Sequence, residues 1–241
     1  MNEHHNNPNY IHHQKPGISD SIREIVFGME DGMVSTMGAI TGIAVGIGNH
    51  FTVVLSGIII IAVESISMGV GSYLSNKSQH EVKKRMIAEE KEEIEMYPEE
   101  EKKEMVGLFV KDGWPEPQAR EMAEYTAKNK KLMLTEMAYR ELGLVVDDES
   151  SAMKNGFFMF ISYVFGGTIS ILPYLIFSDV GPAIPVSVVL TLIGLFLLGA
   201  GTTKFSHRTW WKAGLEMFVL ASIAGFVGYI VGQTADRFWL Q

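Results

Sequence analysis

The sequence predicts an all-α polytopic membrane protein with five transmembrane helices and a soluble three-helix domain inserted between the second and third. Three observations carry this. The hydrophobic residues, 47% of the 241-residue chain, are gathered into blocks instead of being spread evenly. Residues 51–74 hold one charge in 24 positions, 156–177 none in 22, 180–203 none in 24 and 217–235 none in 19, and each run is long enough as a helix to cross about 30 Å of hydrocarbon. Residues 75–153 then change character, with 19 Asp or Glu and 13 Lys or Arg in helical patterns.

The first span is the least regular. Residues 32–48 carry no charge, but as a helix they reach only about 25 Å, short of the bilayer core. The span therefore starts upstream, which draws Glu30 and Asp31 to or below the membrane surface. A carboxylate there costs about 3 kcal/mol unless it finds a partner. Asp31 shares a helical face with Ser35, Gly38 and Gly42, a stripe of small residues that lets neighbouring helices approach, so Asp31 is expected to face protein.

The second span carries Glu64 near its middle, with Met68 one turn later and Gly71 and Ser75 on the same face. The short Gly48-Asn49-His50 connection makes the first two spans antiparallel neighbours, so two acids and a thioether are expected to converge inside the membrane. Carboxylate oxygens with a thioether suit a borderline ion such as ferrous iron or manganese better than calcium or magnesium. The plainer alternative is a protonated Glu64 bonded to Ser65 or Ser67 neighbours, with Met68 only packing.

Before the first span, residues 1–19 hold His4, His5, His12 and His13 among Asn and Pro, a composition that builds no core and reads as a solvated arm. Residues 1–18 have no apolar segment of the signal-peptide kind, so the first helix is expected to act as its own insertion signal. The domain division is then the arm at 1–19, spans one and two at 20–75, the acidic domain at 76–153 and spans three to five at 154–241.

In the acidic domain, breaks are expected at Pro98 and at Gly113-Trp114-Pro115. One helix runs on from the membrane to about Met96, a second covers about 99–111, and a third starts near Glu116, with a break expected before Glu141-Leu142-Gly143, where Gly143 suits a C-cap. Glu90 and Glu93 are spaced i,i+3, as are Glu101 and Glu104, while Met137 and Glu141 are i,i+4. Such pairs share a face, and facing helices could bracket metal ions, although glutamates are also common on solvated helices.

The last three spans contain Gly166-Gly167 and Pro173, then Gly181-Pro182 and Pro185, then Gly228-x-x-x-Gly232. Glu216 stands four residues after Lys212, an expected local ion pair. Orientation follows Lys and Arg near the spans: Lys77, Lys83, Lys84 and Arg85 follow the second, and Lys204, Arg208 and Lys212 join the fourth to the fifth. This places the N-terminus and the acidic domain in the cytoplasm and the C-terminus outside.

Composition excludes several classes. A formal charge of -8 argues against nucleic acid as a partner. The absence of cysteine removes disulfides, thiolate metal sites and thiol catalysis. There is no His-Glu-x-x-His or Gly-x-Ser-x-Gly motif, so no enzyme and no prosthetic group are expected.

The run Ile22-Arg23-Glu24-Ile25-Val26-Phe27-Gly28-Met29-Glu30-Asp31-Gly32-Met33-Val34-Ser35-Thr36, followed by Glu64-Ser65-Ile66-Ser67-Met68-Gly69-Val70-Gly71-Ser72-Tyr73-Leu74-Ser75, resembles the vacuolar iron transporter family. The resemblance covers nearly the whole chain from Ile22. It implies a homodimer that exports ferrous iron, and often manganese, from the cytosol in exchange for protons, with Zn2+ or Co2+ as further candidate ions. By motif, Asp31 and Met68 correspond to residues lining the translocation path at the dimer interface. Glu90, Glu93, Glu101, Glu104, Met137 and Glu141 correspond to the cytoplasmic metal-binding set. One position departs: many members carry the second-span acid eight residues before the methionine, where this chain has Ile60, and its own acid is Glu64.

The expected partners are therefore divalent metal ions, protons, membrane lipid and a second copy of the chain. The expected location is a prokaryotic cytoplasmic membrane, or a vacuolar membrane in a eukaryote. The competing class is a membrane-anchored protein that binds or senses divalent metal and transports nothing.

Overall fold

In an apolar layer a backbone has no water to bond, so a chain built of long charge-free runs must satisfy its N–H and C=O groups within helices. A computed structural model describes residues 21–146, 151–206 and 208–239, and it is helical throughout. The histidine arm lies outside the described residues. The helices are α1 (Ile22–Ile47), α2 (His50–Met96), α3 (Pro98–Lys111), α4 (Glu116–Ala127), α5 (Lys130–Arg140), α6 (Ala152–Ile176), α7 (Val180–Ser206) and α8 (Trp210–Trp239). Two compact units emerge, one from residues 1–73 and 153–241, the other from residues 74–152.

Among the described residues, four helices are long and apolar enough to cross a membrane: α2, α6, α7 and α8. Their outer faces present Ile58, Ile59, Val63, Phe165, Leu197 and Val227 as exposed side chains, as lipid-facing helices do. α1 is a 26-residue helix but is not among the four, because its N-terminal half carries Glu24, Glu30 and Asp31.

Close helix contact in the first unit depends on missing side chains. A Cβ on Gly32 would stand 2.4 Å from the Tyr163 carbonyl oxygen, and one on Gly166 would stand 2.3 Å from that of Met29, so α1 and α6 touch backbone to backbone. The Gly38-Gly42-Gly46 stripe of α1 meets Gly228 and Gly232 of α8 in the same way, with a Cβ on either α8 glycine only 2.3 Å from an α1 carbonyl. Both glycine stripes are thus used within one chain. Beneath them Ile40, Ala44, Val53, Ile171, Tyr174, Val180 and Ala183 form a core shared by α1, α2, α6 and α7.

The second unit departs from the expected three helices. Lys128 and Asn129 divide the expected third helix into α4 and α5, and the Asn129 side chain caps α5 by accepting from the Lys131 and Leu132 N–H groups. α5 ends at Arg140 with Glu141, not Gly143, as its C-cap, and Gly143 follows two residues later. It sits at φ 65°, and the Leu144 N–H bonds the Ala138 carbonyl, the wrap that a left-handed residue permits. Ile94, Met105, Phe109, Ala119, Ala123, Met133 and Met137 make the unit's core. The expected Lys212–Glu216 pair is replaced: Glu216 binds Arg208 at 3.1 Å, while the Lys212 ammonium lies 5.6 Å from the Trp211 ring centre.

Candidate functional site

In the membrane-spanning unit, the glycine contact between α1 and α6 decides which polar groups meet. With Gly32 laid on the Tyr163 backbone, the Tyr163 side chain is fully buried, and its hydroxyl reaches α2 and donates to Glu64 Oε2. Ser35, one turn beyond Asp31, donates to the same oxygen at 3.2 Å and is itself hydrogen-bonded to Tyr163. Three helices therefore converge on one carboxylate. The partners foreseen for Glu64, Ser65 and Ser67, are not those found; the Ser65 hydroxyl turns back to the Ala62 carbonyl.

Asp31 is half-buried and close enough to feel the charge of Glu64. Met68 follows Glu64 by one turn and is also half-buried. Two carboxylates, two hydroxyls and, one turn away, a thioether form a set of oxygen-rich donors in an otherwise apolar bundle. Such groups can hold either protons or a cation. Tyr163 could not be singled out in the sequence, because α6 is apolar on every side and an aromatic residue there has no distinguishing period. Its hydroxyl was the only signal.

In the soluble unit, α2, α3 and the end of α5 bring five glutamates together. Glu90 and Glu101 are 3% and 7% exposed, and Glu90 Oε1 and Glu101 Oε2 have no hydrogen-bond partner in the structure. Burying carboxyls without cations is costly, and the cost appears as proton affinity. Glu90 is pushed up to about 8, first by burial and then by the charges of Glu141 and Glu101, a hydrogen bond with Glu141, and the charge of Glu93. Glu101 is raised by burial and then by Glu104, Glu93 and Glu141; Glu141 is raised by burial and then by Glu104.

Glu93, Glu104 and Glu141 are exposed, so the cluster opens to solvent. Among the described residues no three His, Asp or Glu groups are drawn together tightly enough to cage an ion as they stand. The sixth expected member, Met137, is fully buried in the core below, against residues such as Met105 and Phe109.

A model of the VIT family matches residues 22–233, which take in both units and every carboxylate named above. The chain belongs to the VIT family. It is 29% identical over 216 residues to vacuolar iron transporter 1 of Arabidopsis thaliana, covering 90% of this chain and 86% of that protein. It is 31% identical over 236 residues to the vacuolar iron transporter of Plasmodium falciparum (isolate 3D7), covering 88% and 81%. A relative from Toxoplasma gondii (strain ATCC 50861 / VEG), also a vacuolar iron transporter, is 30% identical over 224 residues, covering 89% and 74%. These relatives are transporters, not enzymes, which agrees with the class expected from the sequence. With its apolar helices, this VIT-family chain is a membrane protein.

Proposed function

We propose that the chain moves ferrous iron, and manganese, out of the cytosol across a membrane in exchange for protons. The observation that carries the reading is the convergence of Ser35 and Tyr163 on Glu64 inside the spanning unit, with Asp31 one turn before Ser35 and near enough to feel the Glu64 charge, in a chain whose relatives are named iron transporters. A simple anchor has no use for two carboxylates close enough to feel each other's charge among apolar helices.

In this reading α1 is a fifth span, held in the bilayer by the polar partners that α2 and α6 offer it. Ferrous ions collect on Glu90, Glu93, Glu101, Glu104 and Glu141, with Met137 beside them, on the cytoplasmic side. They pass to Asp31, Glu64 and Met68 and leave outward. Because a carboxylate holds a proton or a metal ion but not both at once, each transfer of an ion outward frees a group to carry a proton inward, the physical basis of exchange. The apparent proton load of the cytoplasmic cluster fits this: its carboxyls give up protons when a divalent cation takes their place. Glu64 serves here for the acid that many members carry at the position of Ile60. The working unit is a homodimer, in a prokaryotic cytoplasmic membrane or a vacuolar membrane.

The test is uptake of ferrous iron by proteoliposomes holding the purified protein, with a pH dye inside and manganese, zinc, cobalt and calcium as competitors. Metal movement with opposite proton movement, competed by manganese and not by calcium, is the expected result. Saturable binding without flux would overturn the reading in favour of a membrane-anchored metal sensor.

A further inference from the structure

We propose that the neck of the soluble unit binds the phosphate headgroup of an anionic phospholipid. A cavity of about 270 Å3 opens there, lined by His80, Lys83 and Lys84 of α2 and by Ile87, Val145 and Val146. Its lining combines lysine and histidine with aliphatic side chains, a pairing that suits a phosphate attached to a glycerol backbone. It stands out in a domain with 19 acidic and 13 basic residues. Lys84 and His80 are exposed, and Lys83 is half-buried with a bonded contact of its own.

Position favours lipid over a soluble anion. α2 is one unbroken helix from His50 to Met96, and the apolar run ends at Leu74. His80 and Lys84 follow it by about 9 and 15 Å of helix. Cα–Cβ bonds tilt toward a helix N-terminus, which for α2 is the membrane side, and lysine side chains extend further in that direction. The Lys84 side chain is thus directed toward the end of the apolar run, and a lysine close to an anionic surface is worth about fivefold in affinity for it. Elsewhere on this part of α2, Lys77 and Arg85 are paired with Glu81 and Glu89, at 3.9 and 3.4 Å, and Lys83 has a contact of its own, so Lys84 is the cation that the cavity offers to a phosphate. The chain turns acidic beyond it, at Asp147-Asp148-Glu149.

The experiment is native mass spectrometry of the full-length protein from mixed micelles of phosphatidylglycerol and phosphatidylcholine. Retention of phosphatidylglycerol over phosphatidylcholine is expected for the parent. Lys84→Gln is expected to lower that preference about fivefold, while Arg85→Gln, next to it but outside the cavity, leaves it unchanged. Equal losses in the two variants would replace a built site by diffuse attraction and overturn the proposal. So would displacement of the lipid by excess inorganic phosphate, which would assign the cavity to a soluble phosphate. No preference in the parent would also overturn it. Metal flux is not read in any arm, so the outcome is independent of the transport reading.

Discussion

Replacing Glu90 by glutamine separates the folding role of the cytoplasmic cluster from its proposed metal role. A solvated glutamate titrates near 4.5, whereas Glu90 is held near 8, so between those values the folded protein binds a proton that the unfolded chain has released. Stability is then greatest below 4.5 and falls as the pH rises through 8, at about 1.4 kcal/mol for each pH unit. At pH 7 the deficit is about 3 kcal/mol, of which solvent around the exposed Glu93, Glu104 and Glu141 leaves about 1–2 kcal/mol. Glu90→Gln keeps the shape and removes the charge. In the apo protein it should slow amide hydrogen exchange in α3 and α5 at pH 7 by an amount equivalent to about 1–2 kcal/mol, and flatten the loss of protection between pH 5 and 8. Its affinity for Mn2+ should fall at least about tenfold. Unchanged or weaker protection in Glu90→Gln, with the parent's pH slope retained, would refute the claim that repulsion among buried carboxyls shapes this unit.

The remaining predictions concern other joints of the structure. Divalent metal should stabilise the parent more at pH 8 than at pH 5, because low pH fills the cluster with protons; thermal unfolding of the full chain with and without Mn2+ measures the difference. Tyr163→Phe removes one of the two donors to Glu64 Oε2 and should slow metal uptake by about tenfold or less, with protein yield unchanged, since Ser35 remains. Gly32→Leu must displace the α6 backbone, because even a Cβ would be 2.4 Å from a carbonyl oxygen, and should abolish stable folding in detergent, judged by size-exclusion profile. Asn129→Ala deletes the cap of α5 and should cost about 1 kcal/mol, seen as faster exchange at Lys131 and Leu132.

Most of the helix pattern was legible because its signals are strong. Charge-poor runs mark α2, α6, α7 and α8, while Pro98 and the Gly113-Trp114-Pro115 turn stand where one helix ends and the next begins. The division at Asn129 was less visible, since one Asn can cap a helix or ride on its surface, and the choice depends on packing of Met133 and Met137 into the core. Glutamate spacing announced the cytoplasmic cluster, yet it could not say that Glu90 and Glu101 are buried while Glu93 and Glu104 are exposed. That division depends on the angle between helices. In the bundle, the two glycine stripes were visible separately, but that they would meet each other was not, because a small-residue face does not name its partner. Tyr163 shows the same limit: a hydroxyl in an apolar helix gains meaning only when Gly32 and Gly166 bring it beside Glu64 and Ser35.

Ferrous iron uptake by proteoliposomes carrying Asp31→Asn, compared with the parent protein, tests most directly whether the intramembrane carboxylates carry the ion. Asparagine keeps the size of the side chain and removes its charge, so the fold should persist and metal binding by the soluble unit should be unaltered. Transport reduced to the level of empty liposomes, with that binding intact, is the predicted result. Uptake at the parent rate would contradict a pathway through Asp31.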